Sequence, residues 1–169
     1  MHAFDFKVQI INVTKKKKKH LLSAFLCWKL NNMKTIIIED EKPAAEKLQK
    51  AILNNHPGVE VAGVLNSIEA ATLWLQHNPM PDLIFMDIEL SDGLSFKIFE
   101  KVPITCPVIF TTAFDEYWQE TFEHNSIDYL LKPIDINDIK EALTKYKNKE
   151  LSISKDQIQN LHVFTNGKM

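Results

Sequence analysis

A chain of 169 residues, 45% hydrophobic and 25% charged, has the length and composition of one globular domain with a sizeable core and is too short for two. The net charge of −2 hides an asymmetry: residues 1–32 carry seven Lys and one Asp (+6), and the remainder carries thirteen Lys against twenty-one acids (−8). All twenty basic residues are Lys, so the acidic body lacks the guanidinium forks that direct reading of DNA bases uses, which argues against nucleic-acid binding by the body itself.

The N-terminal segment sets a basic run at 15–19 before the apolar stretch Leu21-Leu22-Ser23-Ala24-Phe25-Leu26-Cys27-Trp28. That order imitates a secretory signal. However, about eight apolar residues are short for a signal and far too few to span a bilayer, and no small-x-small cleavage site follows. A membrane-surface anchor, a nucleic-acid arm and sequence foreign to the domain remain as readings. Met33 opens the first strand-like run, so the domain is expected to begin there, with residues 1–32 an appendage or a misplaced start. An intact peptide containing residues 15–19 in the natively expressed protein would overturn that expectation. Cys27 and Cys106 show neither metal-ligand nor redox spacing, which fits a reducing, cytoplasmic setting with Cys106 as a small buried residue.

From Met33 onward, short apolar runs alternate with helical periods, the pattern of βα units around a parallel sheet. The first strand, 35–38, is apolar throughout, as a strand buried on both faces should be. A helix near Pro43 turns Ala44, Ala45, Leu48, Ala51 and Ile52 to one face. Residues 59–64 form a second strand whose exposed Glu60 suits a sheet edge. Ser67 caps a second helix with Ile68, Ala71, Trp74 and Leu75 inward, ending by Asn78-Pro79.

The third strand, 83–86, stops at Asp87; after an Asp92-Gly93 turn, a helix is expected over 94–101 with Phe96 and Phe99. The fourth strand, 108–110, runs into Thr111-Thr112-Ala113 and a helix over 115–124. The fifth, 127–131, runs into Lys132-Pro133 and a helix after Asp135 bearing Ile136, Ile139, Leu143 and Tyr146. This makes one three-layer α/β domain over 33–149. Residues 150–169, polar and without a clear period, are expected to be a linker or the truncated start of an output domain.

In an open parallel sheet of order 2-1-3-4-5, ligands bind beyond the carboxyl ends of the strands, between strands one and three. Glu39 and Asp40 follow strand one, Asp87 strand three, Thr112 strand four and Lys132 strand five. Any one of them could merely begin a loop; acids, a hydroxyl and a Lys after four strands point to one pocket. Clustered carboxylates repel unless a cation joins them, and hard oxygen ligands suit Mg²⁺. With Asp40 and Asp87 as ligands, one Asp87 oxygen is free to attack phosphorus. Lys132 can hold the product's phosphoryl oxygens and Thr112 can donate to another, giving an aspartyl phosphate.

Ile-Ile-Glu-Asp-Glu at 37–41, Phe-Met-Asp-Ile-Glu-Leu at 85–90 with Asp92-Gly93, Thr-Thr-Ala-Phe-Asp at 111–115 and Asp-Tyr-Leu-Leu-Lys-Pro at 128–133 together resemble the receiver domain of two-component response regulators. The resemblance covers about residues 33–147 and implies a flavodoxin-like (βα)5 doubly wound sheet. It implies Asp87 as phosphoacceptor from a sensor histidine kinase, and Mg²⁺ held by Asp40, Asp87 and the Glu89 backbone carbonyl, with Glu39 acting through water. It also implies Thr112 and Tyr129 as a switch pair, Lys132 as phosphate clamp, a cis Pro133, and a two-state surface of helix four, strand five and helix five that could pair two copies.

Glu39 stands where many members carry Asp, which lengthens that arm. The wording at 92–96 and 112–117 is similar to regulators of the LytR/AlgR type, which carry a LytTR DNA-binding domain after the receiver. Any DNA contact is expected to belong to that domain, which lies outside residues 1–169. A stand-alone receiver acting through a protein partner or a phosphorelay is the alternative. A haloacid-dehalogenase-like phosphohydrolase is a third reading, disfavoured because Glu89 stands where a second Asp is needed and the chain is too short for cap and lid elements.

Overall fold

The computed structural model describes residues 32–56, 58–121 and 124–165, so the basic and apolar N-terminal segment lies outside the described residues. In chain order the elements are β1 (Met33–Ile38), α1 (Lys42–Asn55), β2 (Val59–Leu65), α2 (Ile68–His77), β3 (Leu83–Asp87), α3 (Lys97–Lys101), β4 (Val108–Thr112), α4 (Trp118–Thr121), β5 (Ser126–Leu131) and α5 (Ile136–Thr165). The strands form one parallel five-stranded sheet in the order β2-β1-β3-β4-β5. The strand order reverses at β1 and β3, so the loops after these two strands diverge and leave a crevice between them.

The apolar runs of β1, β3 and β4 are buried along their whole length, apart from Lys34, because helices cover both sheet faces. Alternation along these strands divides the core. Ile36, Ile38, Ile84, Met86, Val108 and Phe110 pack under α2 and α3 with Ile68, Ala71, Leu75 and Ile98. Met33, Ile37, Leu83, Phe85, Ile109 and Leu130 pack under α1 and α5 with Leu48, Ile52, Ile139, Ala142, Leu143 and Tyr146. Phe85 and Phe110, both fully buried, fill the two layers, and truncating either to Ala would cost about 3–5 kcal/mol. β2 is an edge with Glu60 exposed, and α1 begins with Pro43 in its first turn.

Ser67 caps α2 through its hydroxyl, which accepts from Ala70 N–H at 3.0 Å. Asp92, expected only as a turn residue, adds a second cap from a distant loop: its Oδ1 accepts from Ile68 N–H at 3.0 Å and its Oδ2 from Glu69 N–H at 3.3 Å.

Three helices differ from expectation. α3 starts at Lys97 rather than 94, because Gly93 and Leu94 pair with Leu90 and Glu89 in a two-residue antiparallel ladder. Gly93 has φ +130°, a conformation that other residues rarely adopt. α4 starts at Trp118 rather than 115, since the Phe114 N–H donates to Thr112 and its carbonyl accepts from Tyr129, which removes both groups from a helical ladder. α5 runs through Thr165, into the stretch expected to be a linker; no Gly or Pro interrupts Ile136–Thr165.

Candidate functional site

The carboxyl ends of β1, β3, β4 and β5 bring the expected residues to the crevice. Glu39 and Asp87 follow from fully buried strand ends and are themselves 3% and 5% exposed, while Thr112 is 0% exposed. Lys132 Nζ lies 2.7 Å from Glu39 Oε2 and 2.6 Å from Asp87 Oδ2, so a single ammonium bridges two buried carboxylates. Asp87 Oδ1 accepts from Glu89 N–H at 3.2 Å. Both Asp87 oxygens therefore carry a hydrogen bond. Glu39 Oε1 accepts from Glu41 N–H at 3.3 Å, and the half-buried Asp40 accepts from Ser91 N–H at 2.9 Å.

Burial acts first on each charge here. It pushes the Glu39 carboxyl above its ordinary 4.5, opposed by the Lys132 hydrogen bond and reinforced by the Asp87 charge. It pushes Asp87 above its ordinary 3.8, with the hydrogen bond and charge of Lys132 opposing. For Lys132 burial favours the neutral amine, but hydrogen bonds to Asp87 and Glu39 outweigh it and hold the ammonium above its ordinary 10.5. The bridge therefore keeps its cation throughout the neutral range. One positive charge faces two buried acids and the adjacent Asp40, leaving the crevice with excess negative charge.

Carboxylate oxygens of Glu39, Asp40 and Asp87 lie within 4.8 Å of one another. An all-oxygen set of this kind fits a small hard cation such as Mg²⁺. Thr112 Oγ1 accepts from Phe114 N–H at 3.2 Å, and the half-buried Tyr129 donates its hydroxyl to the Phe114 carbonyl. The expected switch residues thus meet through one backbone unit. Lys132-Pro133 is a cis peptide, and Lys132 N–H donates to the Thr112 carbonyl at 2.7 Å.

One contact in the crevice escaped sequence reasoning: the Tyr117 hydroxyl donates to Glu89 Oε1 at 3.0 Å. Nothing local signals it, since the partners are 28 residues apart on different loops.

The fold is that of a receiver domain, and the matches agree. The profile of the response regulator receiver domain matches residues 35–144, so the chain belongs to the response regulator receiver-domain family of two-component systems. Members are signalling modules, phosphorylated by sensor histidine kinases, and generally bind Mg²⁺ at an acidic pocket. Its relatives include sensory transduction proteins LytT and LytR. It is 36% identical over 123 residues to the sensory transduction protein LytT of Bacillus anthracis, covering 71% of this chain and 49% of that one. It is 35% identical to the sensory transduction protein LytR of Staphylococcus haemolyticus, covering 69% and 46%.

The chain thus spans about half the length of the curated relatives it matches. Among solved structures, the response regulatory domain of mrkE from Klebsiella pneumoniae superposes with a TM-score of 0.60 at 35% identity, covering 69% of this chain and 97% of that one. The receiver domain of AraT from Geobacillus stearothermophilus gives 0.59 at 32%, covering 75% and 98%. Among the described residues no helix is long and apolar enough to cross a membrane.

Proposed function

We propose that this chain is a phosphorylation switch in which Asp87 accepts a phosphoryl group from the phosphohistidine of a sensor kinase. The observation that carries the reading is the Lys132 ammonium, 2.6 Å from Asp87 Oδ2 at the sheet's switch point beside two further carboxylates. An Asp87 oxygen bonds to phosphorus as the phosphorus–nitrogen bond breaks, and the electron pair leaves on the imidazole. Lys132 then follows the new negative charge from the carboxylate to a phosphoryl oxygen. Asp40, Asp87 and the Glu89 carbonyl would hold Mg²⁺, with Glu39 contributing through water; the ion supplies charge neutralisation for the transferring group.

Thr112 turns its hydroxyl from Phe114 N–H towards the phosphoryl group. Phe114 shifts, and Tyr129 exchanges its bond to the Phe114 carbonyl for the space Thr112 leaves. That biases the surface of α4, β5 and α5, where Phe114, Trp118 and Leu131 are 48%, 50% and 48% exposed, towards pairing with a second copy. The output is transcriptional control in the cytoplasm through a LytTR-type DNA-binding domain, a reading supported by the LytT and LytR relatives that are about twice as long as the match.

Incubation with Mg²⁺ and phosphoramidate, followed by intact mass, tests the acceptor. One added phosphoryl group is expected, abolished by Asp87→Asn and strongly reduced by Asp40→Ala. Undiminished labelling of Asp87→Asn would remove the mechanism.

A further inference from the structure

Between α1 and the start of α5 runs a groove of about 870 Å³. Buried Leu48 and Ile139 lie at its base, with Ala44, Ala51, Ile134 and Ile136 along its sides, and Ile136 is 50% exposed. An apolar groove of this size on an acidic body marks a surface built to be covered. Its two ends differ. The lower end, at Asn54 and Asn55, adjoins the point where the chain enters the domain: Met33 N–H donates at 3.0 Å to the carbonyl of Gly58, three residues past Asn55. The upper end is lined by Glu39 and Asp135 and opens on the crevice, where negative charge is in excess.

Read backwards from Met33, the chain offers matching features in the same order: the short link 29–32, the uncharged stretch Leu21-Leu22-Ser23-Ala24-Phe25-Leu26-Cys27-Trp28, and the lysines at 15–19. We propose that Leu21–Trp28 lies in this groove as an intramolecular cover, running from the chain's entry at Met33 up to the crevice. The reach is adequate, since the four-residue link extends up to about 14 Å. Ala44 and Asn54, ten residues apart on α1, mark a groove about 15 Å long; eight residues span about 12 Å as a helix and about 28 Å extended. The charges fall in a compatible order. Lys47 and Lys50 stand on the α1 wall, where they face the uncharged stretch, and the basic run arrives only beyond Ala44, at the acidic end. Filled, the groove closes the crevice on the side that Lys132 lines, so the segment covers one approach to the ammonium bridge.

The segment carries its own probe, since Cys27 lies within it. The whole chain bearing Ala51→Cys is treated with diamide, which takes up the two thiol hydrogens as the disulfide forms. Linkage to Cys27 is followed by intact mass and peptide mapping. Leu73→Cys is the control: Leu73 is 58% exposed on α2, across the sheet from the groove, and the native Cys106 is buried under α2 and α3. An undocked tether presents Cys27 to either position at comparable effective concentration, so docking should make linkage in Ala51→Cys about tenfold faster than in Leu73→Cys. Adding Ile136→Asp, which sets a charge in the apolar wall, should slow the Ala51→Cys linkage severalfold. Equal rates at the two positions, or a rate indifferent to Ile136→Asp, would overturn the cover. A disulfide-linked dimer as the main product would give the groove to the segment of a second copy and overturn it as well. Should Ala51→Cys fold poorly, Asn54→Cys at the groove's lower end gives the same reading.

Discussion

The two ends of the sheet hold their buried titratable groups in opposite ways. At the carboxyl end, Glu39 and Asp87 are nearly inaccessible but share the Lys132 ammonium at 2.7 and 2.6 Å. At the amino end, His56 Nε2 and the Tyr146 hydroxyl are buried with no hydrogen-bond partner among the described residues, and the Cys106 thiol is buried nearby. Burial disfavours the charged form at both ends. It raises Glu39 and Asp87, raises the Tyr146 phenol, pushes the Cys106 thiol up to about 12 and lowers His56. Only the carboxyl end adds a countercharge that keeps its acids poised for chemistry. Burial makes a group unusual; a partner makes it useful.

The comparison breaks most visibly if Lys132 is removed. Lys132→Ala leaves two buried carboxylates facing each other beside Asp40, and we expect a loss of about 2 kcal/mol at pH 7 in chemical denaturation, less than for a fully buried pair because Lys132 keeps some solvent contact. The loss should shrink in acid or with added Mg²⁺; a variant as stable as wild type would show that the bridge contributes no net stability.

Asp87→Asn should act with the opposite sign. The folded value of Asp87 is raised above 3.8, so its favourable contribution is complete below 3.8 and is lost as pH rises through the folded value. At pH 7 the amide removes that penalty, so Asp87→Asn should be more stable than wild type, with the gain disappearing towards pH 4. A gain that persists undiminished in acid would assign it to something other than charge.

How far this contrast was legible in the sequence depended on the range of the interactions. The apolar runs into Asp87 and Glu39 announced buried strands with acids at their ends, because burial on both faces erases alternation and needs no knowledge of partners. The placement of Asp40, Thr112 and Lys132 followed from topology. The late start of α4 at Trp118 did not follow, since Phe114 spends its backbone groups on Thr112 and Tyr129 rather than on a helix. Nor did the Asp92 cap on α2 or the Tyr117–Glu89 bond, which join residues 24 and 28 positions apart with no periodic trace. The unpartnered groups at the amino end were equally hidden: Tyr146 fits the helical apolar stripe whether or not its hydroxyl finds a partner.

Tyr146→Phe turns that last point into a measurement. Removing an unsatisfied buried hydroxyl while keeping the ring should stabilise the fold by about 1 kcal/mol, with no change in phosphoryl labelling. Destabilisation would mean that the hydroxyl is hydrogen-bonded in solution, and the amino end would then resemble the carboxyl end more closely than the structure implies.

The smallest effect is expected at His56, where burial first, and then the charges of Lys147 and Lys140, lower the imidazole from its ordinary 6.5. The folded state then binds fewer protons than the unfolded chain just below that value, so stability contributed by the neutral ring is present above pH 6.5 and is lost as pH falls through it. The acids at the other end oppose this slope, since raised Glu39 and Asp87 values gain stability on acidification. His56→Gln should therefore make stability rise more steeply between about pH 7 and 5 than in wild type, and Asp87→Asn should flatten that rise. Stability curves that are parallel for wild type and His56→Gln would show an imidazole with an ordinary proton affinity, and this ring at the amino end would then contribute nothing to the response to pH, leaving that response to the acids of the carboxyl end.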